Sequence, residues 1–271
     1  MERRTIIVTG ASDGIGAALV LTLADQSTNP VLAARNEGKL REVARRCEDG
    51  GARVQVVHTD VADRSACQAL VERAVTAFGG IDVLVNNAGI SMLCRFDQIQ
   101  DISIFERLMQ VNYLGAVYCT YYALPWLKRS RGLIVAISSL QGKTGFPLYT
   151  GYSASKHAMQ GFFDSLRIEL GGSGVDVLVV SPGPVATSIQ ANRLQADGKS
   201  ALRDTPHGSA EMPVQKCAQQ IGRAIRGRRR ELVMTAGGKL IGLMKPLAPG
   251  TVDRLVDRAV KRFHAGRESP K

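Results

Sequence analysis

The sequence lacks the features of a membrane-spanning or secreted protein. None of its apolar runs approaches the roughly 20 residues that a membrane-spanning helix needs. The first residues, Met1–Thr5, lead directly into a short apolar run and do not have the layout of a signal peptide. We therefore expect a cytoplasmic protein.

Paired metal-binding and disulfide-forming residues are also missing. The five cysteines contain no CxxC pair, and their odd number and wide spacing argue against a disulfide framework or a zinc site. The four histidines do not cluster as metal ligands do. We expect buried or unreactive thiols and no metal site.

The chain has neither a proline- or serine-rich linker nor an internal repeat. Instead, short β-branched runs alternate with longer segments whose apolar residues have helical spacing, and α/β folds often reach 271 residues as one unit. This order predicts a single doubly wound α/β domain, with a parallel sheet of about seven strands and helices on both faces. The predicted strands are Thr5–Thr9, Pro30–Ala34, Ala52–His58, Ile81–Asn86, Leu133–Ser138, Val175–Ser181 and Glu231–Thr235.

One polar stretch, Thr187–Met212, interrupts this alternation and has little helical or strand periodicity. In a compact domain, a segment of this length is typical of a lid or of a disordered loop. We predict that it forms a lid over the substrate.

Positive charge is concentrated near the end of the chain. From Lys216 onward there are 14 basic and 4 acidic side chains, so this part carries +10 of the net charge of +11. Residues 238–271 are predicted to form a basic, amphipathic C-terminal extension. The apolar face of its last helix contains Val252, Leu255, Val256, Ala259, Val260 and Phe263.

Two interpretations of this extension stay open. The helix could pack on its own domain or on a partner subunit, with its basic side chains in water. Alternatively, it could contact an anionic membrane surface, for which basic amphipathic helices are suited. Nucleic-acid binding is not expected, because no recognition motif accompanies the charge.

The first predicted strand runs into a glycine-rich turn with the spacing G-x3-G-x-G, followed at once by a helical pattern. Gly10 permits a tight turn, Gly14 lets the backbone approach a pyrophosphate, and Gly16 allows close packing of the helix. The helix N-terminus would add free N–H groups and positive partial charge. The turn therefore indicates a dinucleotide site, with an ordinary glycine-rich turn as the alternative.

The second predicted strand ends without the acidic residue that bonds the ribose 2′-hydroxyl in NAD sites. Ala34 occupies that place, and Arg35 follows it. A guanidinium fits a 2′-phosphate in charge and geometry, so the pattern favours NADP(H). The alternative is that Arg35 is a solvated surface residue.

Tyr152 and Lys156 lie four residues apart in a helical pattern and therefore share a face. A free tyrosine has a pKa of about 10, and a nearby ammonium lowers it. This pair would suit general acid–base chemistry near neutral pH, although a Y-x3-K pair also arises by chance on surface helices.

Other polar residues follow neighbouring strands at the edge where open α/β sheets bind ligands. Ser139 follows the strand that ends at Ser138, and the run Asn86–Gly89 follows another. Asn112 interrupts a long helical pattern, and a buried amide there must be hydrogen-bonded. For Asn112, a satisfied core amide or an exposed position is the alternative.

In combination, these motifs resemble the short-chain dehydrogenase/reductase family, whose order and spacing they follow from about Thr5 to Thr187. The matching set is Thr9-Gly10-x3-Gly14-Ile15-Gly16, Asp60-Val61, Asn86-Asn87-Ala88-Gly89, Asn112, Ser139, Tyr152-x3-Lys156 and Pro182-Gly183-x3-Thr187. The resemblance implies a Rossmann-type domain, NADP(H) as cofactor and a homodimer or homotetramer.

The resemblance also implies a role for each catalytic residue. Tyr152 corresponds to the catalytic acid–base, and Lys156 to the lysine that binds the nicotinamide ribose and lowers the tyrosine pKa. Ser139 corresponds to the serine that binds the substrate oxygen, and Asn112 to the asparagine that holds a water of the proton relay. The cofactor contacts that it implies are Gly10, Ser12, Asp13, Gly14, Ile15, Gly16, Arg35, Asp60, Val61, Asn86, Asn87, Ala88, Gly89, Tyr152, Lys156, Pro182, Gly183, Val185 and Thr187.

The function expected from these features is NADP(H)-dependent reduction of a carbonyl to an alcohol, with a fairly apolar small molecule as substrate. Three alternatives remain at this point. The enzyme could work in the oxidative direction, as an alcohol or hydroxysteroid dehydrogenase. The chain could also be an NADP(H)-sensing protein without catalysis, or a membrane-associated protein without catalysis.

Overall fold

A computed structural model of the chain describes residues 3–189, 192–200 and 211–268. The strands are β1 (Arg4–Thr9), β2 (Thr28–Ala34), β3 (Gln55–His58), β4 (Val83–Asn86), β5 (Leu133–Ile137), β6 (Asp176–Ser181) and β7 (Glu231–Val233). The helices are α1 (Gly14–Leu23), α2 (Glu37–Asp49), α3 (Arg64–Phe78), α4 (Ser103–Met109), α5 (Gly115–Ser130), α6 (Thr150–Glu169), α7 (Val214–Arg226), α8 (Ala236–Met244) and α9 (Pro249–Glu268).

The strands form one seven-stranded sheet in the order β3-β2-β1-β4-β5-β6-β7, and every pair is parallel. Helices α1, α2 and α7 pack on one face, and α3, α5 and α6 pack on the other. The predicted single, doubly wound Rossmann-type domain is therefore confirmed. Strand order reverses between β1 and β4, which is where such sheets bind ligands.

Local sequence explains how several helices begin. The Asn36 side chain accepts a hydrogen bond from the Lys39 N–H at the start of α2, and Asp63 caps α3 in the same way. These caps satisfy backbone donors that the first helical turn leaves free. Gly79 ends α3 with a left-handed φ of 81°, a conformation that glycine adopts at little cost.

The strand β2 starts two residues earlier than its sequence predicts, because Pro30 lies inside the strand and not at its beginning. Pro30 is opposite Ile6 of β1, whereas pairing with β3 begins only at Val31. The β3 side of the strand is therefore unpaired at Pro30. A sheet tolerates proline, which has no backbone N–H, at such an unpaired position.

The C-terminal helices α8 and α9 pack together beside the sheet. Val252, Val256 and Val260 are buried against Ile241 and Met244 of α8, and against Phe146. These valines of the amphipathic helix thus pack on their own domain, which agrees with the first of the two sequence-based interpretations. The five cysteines, all within the described residues, are buried free thiols.

Candidate active site

The glycine-rich turn connects β1 to α1 with little room for any side chain. Gly10 and Gly14 have φ values of 64° and 54°, in the left-handed region. A Cβ on Gly16 would lie 2.2 Å from the Gly10 carbonyl oxygen. The left-handed φ values therefore explain the glycines at positions 10 and 14, and the lack of space for a Cβ explains Gly16. The other predicted contacts in the turn, Ser12 and Ile15, are half-buried.

Thr9 and Asn87 fix this turn to the neighbouring strand. The Thr9 hydroxyl accepts hydrogen bonds from the backbone N–H groups of Asn87 and Ala88, at 3.0 and 3.1 Å. The Asn87 amide donates to the carbonyl oxygens of Thr9 and Gly10. In contrast, the Asn86 amide turns into the helical layer and donates to Thr120, 3.0 Å away. Asn86 thus braces the sheet and does not reach the turn.

Basic and acidic side chains alternate where β2 ends. Arg35 is 3.9 Å from Asp60, and Lys39 is 2.9 Å from Asp13, which also caps α1. The Arg35 side chain is 68% exposed, so a ligand phosphate can reach it. The pKa of Asp13 is lowered, because hydrogen bonds from Lys39 and the Gly14 N–H outweigh the opposing effect of burial. The structure thus places two cations beside the glycine-rich turn.

Asp60 and Val61, two of the predicted cofactor contacts, follow β3 at the same edge. Asp60 accepts a hydrogen bond from the Ala62 N–H at 3.0 Å. The Val61 side chain is buried in the core on the α3 side, so it supports the position of Asp60.

The structure brings Ser139, Tyr152 and Lys156 together at the carboxyl edge of the sheet. Ser139 lies just beyond β5, and its hydroxyl is near enough to the Tyr152 phenol to act on the pKa of that phenol. The Lys156 ammonium lies 5.7 Å from the centre of the Tyr152 ring and donates to the Ile137 carbonyl at 2.9 Å. Tyr152 and Lys156 are 9% and 3% exposed, so this reacting group is largely removed from water.

Burial controls the pKa values of this pair. It raises the pKa of Tyr152 to about 12, although the hydrogen bond with Ser139 acts to lower it. It lowers the pKa of Lys156 to about 8. The expected lowering of the tyrosine pKa is therefore wrong for the groups of this chain alone, because the loss of hydration of the phenolate dominates. At neutral pH the phenol is protonated.

Asn112 is fully buried at the point where α4 meets α5. Residues Gln110–Leu114 form a π-helical turn, a feature often found at functional sites. The Asn112 amide accepts from the Ile90 N–H at 2.8 Å and donates to the Ile90 carbonyl and the Ser155 hydroxyl, both at 2.9 Å. Asn112 is thus a satisfied buried amide, and one that connects with the helix of Tyr152.

Gly89 lies between two of the predicted catalytic side chains. A Cβ at this position would be 3.1 Å from the Asn112 amide oxygen and 3.6 Å from the Lys156 ammonium. The missing side chain leaves space beside both groups, so Asn112 and Lys156 face a common region.

The loop after β6 closes the site from the opposite side. The Pro182 carbonyl accepts from Leu140 N–H at 3.0 Å, next to Ser139. Gly183 is packed so closely on Thr235 that an added Cβ would lie 2.8 Å from it. Val185 and Thr187 are 6% and 8% exposed, and Thr187 contacts Gly14 of the glycine-rich turn. The loop therefore connects the two ends of the candidate cofactor site.

Part of the predicted lid is ordered against the substrate side of the site; residues 190, 191 and 201–210 lie outside the described residues. Leu194 exchanges backbone hydrogen bonds with Ser91 and Leu93, each at 2.9 Å. Buried Arg193 donates to the Tyr149 hydroxyl at 3.0 Å. This part of the segment therefore forms a wall that is tied to α6 and to the loop after β4.

Sequence reasoning missed three of these connections. Thr9 was a visible signal, since it is a polar residue at the end of an apolar strand. Ser155, which joins Asn112 to the Tyr152 carbonyl, and Arg193 had no such signal. Their contacts join segments 43 or 44 residues apart and depend on the folded geometry.

The fold resembles those of solved oxidoreductase structures, of which two serve as examples. An alcohol dehydrogenase from Thermococcus sibiricus, complexed with 5-hydroxy-NADP, has a TM-score of 0.75 and 25% identity, covering 86% of this chain and 96% of that one. A short-chain dehydrogenase/reductase from Burkholderia phymatum in complex with NAD has a TM-score of 0.81 and 24% identity, covering 92% and 95%. At that identity, the second supports the fold alone.

Sequence comparison identifies the family. The 11-beta-hydroxysteroid dehydrogenase 1A of Arabidopsis thaliana is 34% identical over 259 residues, covering 92% of this chain and 73% of the relative. The family model described as "short chain dehydrogenase" matches residues 4–198, most of the chain. This match contains β1 to β6 and every residue of the reacting group. The chain therefore belongs to the short-chain dehydrogenase/reductase family of oxidoreductases, which use a nicotinamide cofactor.

Proposed function

We propose that this chain reduces the carbonyl group of an apolar small molecule to an alcohol, with NADPH as cofactor and Tyr152 as general acid. The observation that carries the proposal is the convergence of Ser139, Tyr152 and Lys156 in a buried site at the carboxyl edge of the sheet. A protonated buried phenol is the form that can donate a proton to an oxygen.

The residues present fit a nicotinamide dinucleotide. Gly10, Gly14 and Gly16 add no side chains to the turn, so the backbone can approach a pyrophosphate there, and the N-terminus of α1 lies at the same place. Gly89 leaves space beside Lys156 for a ribose. When bound, NADPH would supply the hydride.

The chain itself would position the substrate and move the proton. Ser139 and Tyr152 would hold the carbonyl oxygen through hydrogen bonds, and Tyr152 would give its proton to that oxygen. Lys156 has its pKa lowered to about 8 by burial, so it can gain or lose a proton near neutral pH. Asn112 and Ser155 keep α6 in register with the loop that ends at Ile90.

The preference for NADPH rests on the end of β2. Arg35 is exposed there, Lys39 lies one turn later, and no acidic side chain follows β2 directly to repel a 2′-phosphate. The solved neighbours hold an NADP derivative in one case and NAD in the other. The proposed preference for NADPH over NADH therefore rests on Arg35 and Lys39 of this chain.

Calorimetric titration with NADPH and NADH tests this preference without any substrate. We expect NADPH to bind at least about tenfold more tightly, the effect of one or two charge-assisted hydrogen bonds. Arg35→Ser should weaken NADPH and leave NADH unchanged. Arg41→Ser is the matched control, because Arg41 is equally exposed and pairs with Glu37 of its own helix. Equal affinities for the two cofactors would disprove the NADPH assignment.

The apolar character of the substrate rests on the walls around Tyr152. Buried Met92, Tyr149 and Leu194 form a cluster with Tyr152. The name of the Arabidopsis relative favours a steroid among apolar candidates and suggests the oxidation of a hydroxysteroid as the second function.

NADPH oxidation with steroid ketones, quinones, acyl ketones and sugars, and NADP reduction with the corresponding alcohols, would separate these possibilities. Turnover of sugars alone would contradict the apolar assignment, and no turnover at all would favour a sensing protein.

A further inference from the structure

Helix α8 exposes a row of leucines to solvent. Leu240, Leu243 and Leu247 are 55%, 73% and 87% exposed, and Pro246 beside them is also exposed. Their spacing places the three leucines on one side of the helix and of the turn after it. We call these four residues the α8 apolar surface. Several exposed leucines together mark an interaction site more often than single ones do.

Other residues of α8 pack on the rest of the domain. Ile241 and Met244 pack on the buried valines of α9. Gly238 is packed so closely on Leu140 that a Cβ would lie 2.3 Å from that side chain. The α8 apolar surface is therefore additional to the core, and within the described residues nothing covers it.

Residues 236–261, which include α8 and most of α9, carry five basic and two acidic side chains. Lys239 is exposed one turn before Leu243, and Arg254 and Arg258 are exposed on α9, which packs against α8. Asp253 and Asp257 of α9 pair with Lys245 and Lys261. Lys239, Arg254 and Arg258 therefore leave α8 and α9 with an excess of positive charge.

The arginine-rich turn after α7 does not contribute to this surface. Arg228 binds Asp176 and the carbonyl oxygens of Arg131, Gly132 and Gly174, at the amino ends of β5 and β6. The α8 helix follows the carboxyl end of β7 instead, at the opposite edge of the sheet. The basic C-terminal part therefore divides into a structural cluster and a separate surface cluster.

From this arrangement we propose that the α8 apolar surface docks the protein on anionic lipid, with the leucines among the acyl chains and the basic side chains at the headgroups. Lipid of opposite charge complements both features, whereas a second copy of this chain would bring a like charge against the first. None of the helices in the described ranges is long and apolar enough to cross a bilayer.

The docking surface adjoins the candidate substrate site. Phe146 packs both on the α8–α9 cluster and on the cluster that contains Tyr149 and Tyr152. Thr235, which caps α8, touches Gly183 of the loop that closes the site. An apolar substrate dissolved in the lipid would thus be close to the site when the protein is docked.

Co-sedimentation of the full chain with vesicles tests the proposal independently of any enzymatic activity. We expect binding to phosphatidylcholine–phosphatidylserine vesicles, and at least about tenfold weaker binding to vesicles of phosphatidylcholine alone. The triple variant Leu240→Gln, Leu243→Gln, Leu247→Gln should lose at least about tenfold of the wild-type affinity, because its exposed side chains no longer favour the acyl chains.

Ile168→Gln provides the matched control. Ile168 is 77% exposed near the C-terminus of α6, toward the amino edge of the sheet, so this variant should bind as the wild type does. Thermal unfolding of each variant verifies that it is folded. The proposal would be overturned if the wild-type protein did not bind the phosphatidylcholine–phosphatidylserine vesicles. A triple variant that binds the mixed vesicles as the wild type does would also overturn it. So would a triple variant whose only change is a different oligomeric state, measured by light scattering, because the α8 apolar surface would then be a subunit interface.

Discussion

Helices α6 and α8 both begin at the carboxyl edge of the sheet, yet they distribute polar and apolar side chains in opposite ways. The first turns of α6 bury Tyr152, Ser155 and Lys156, whereas α8 exposes Leu243 and Leu247. Burying an ammonium costs free energy, and exposing leucines forgoes the stabilisation from burying them. Folding alone would favour neither arrangement. The difference indicates that α6 is arranged for chemistry in a dry site, and α8 for contact with something outside the molecule.

The largest expected effect comes from the buried phenol of α6. Tyr152→Phe keeps the ring in its apolar surroundings and removes the proton, so kcat should fall by about 10²–10⁴, the usual contribution of general acid catalysis. Steady-state kinetics on a substrate found in the panel would measure the loss. Calorimetric NADPH affinity should stay within about threefold, because one hydrogen-bonding group at most is removed from the cofactor site. A variant with normal kcat would show that Tyr152 is not the acid.

The next effect concerns the charge that α6 buries. The folded pKa of Lys156 is about 8, below the usual 10.5, so between these values the unfolded chain binds more protons and stability rises with pH. Lys156→Met has no such titration. Between neutral pH and pH 10.5, the free energy of unfolding of the wild type should therefore rise by about 3 kcal/mol relative to the variant. Urea unfolding at several pH values measures this. A constant difference across that range would mean that burial does not depress the lysine pKa.

Two glycines of α6 distinguish its buried face from its exposed face. An added Cβ at Gly151 would lie 2.8 Å from the Phe105 ring, whereas at Gly161 it would meet nothing within 4 Å. Gly151→Ala should lower the free energy of unfolding by about 1–3 kcal/mol through overpacking. Gly161→Ala should raise it by about 0.5–1 kcal/mol, because alanine loses less chain entropy in a helix. Urea titrations of both variants compare the signs; two changes of the same sign would contradict the assigned faces.

The smallest expected effect is on α8. Leu243→Gln changes an exposed side chain, so the free energy of unfolding should stay within about 0.5 kcal/mol of wild type. Ile241→Gln, two residues earlier, disturbs the packing on Val252 and Val256 and should cost about 1–2 kcal/mol. Thermal or urea unfolding measures both. If Leu243→Gln were the more damaging change, the leucines would serve the fold and the contrast with α6 would disappear.

Much of the fold was predictable because parallel strands covered on both faces are almost wholly apolar. The residue types at their carboxyl ends then gave the candidate site: glycines after β1, Arg35 after β2, and Ser139 after β5. These signals are local in sequence. The predicted start of β2 was less accurate. Proline is typical of a strand boundary, and the sequence does not show that one side of β2 is unpaired at Pro30.

Contacts and energies were harder to predict than positions. Sequence placed Tyr152 and Lys156 on one helical face but gave the pKa shift of the tyrosine the wrong direction, since the extent of burial depends on the whole fold. It recognised the apolar face of α9 but gave no reason to single out Leu240 and Leu243 as exposed. In both cases the missing information is which neighbours surround a side chain.

The π-helical turn at Gln110–Leu114 has a consequence for the length of the chain around it. Downstream, Cys119, Ala123 and Leu127 lie on one side of α5 and are buried against the sheet. A π-helical turn holds one residue more than an α-helical turn, because its hydrogen bonds join residues five apart and not four. In this segment Asn112 hydrogen-bonds to Ile90 and Ser155 while the apolar side of α5 faces the sheet. Removing one residue would return the segment to α-helical hydrogen bonding, so we expect the contacts of Asn112 to be lost before the packing of α5.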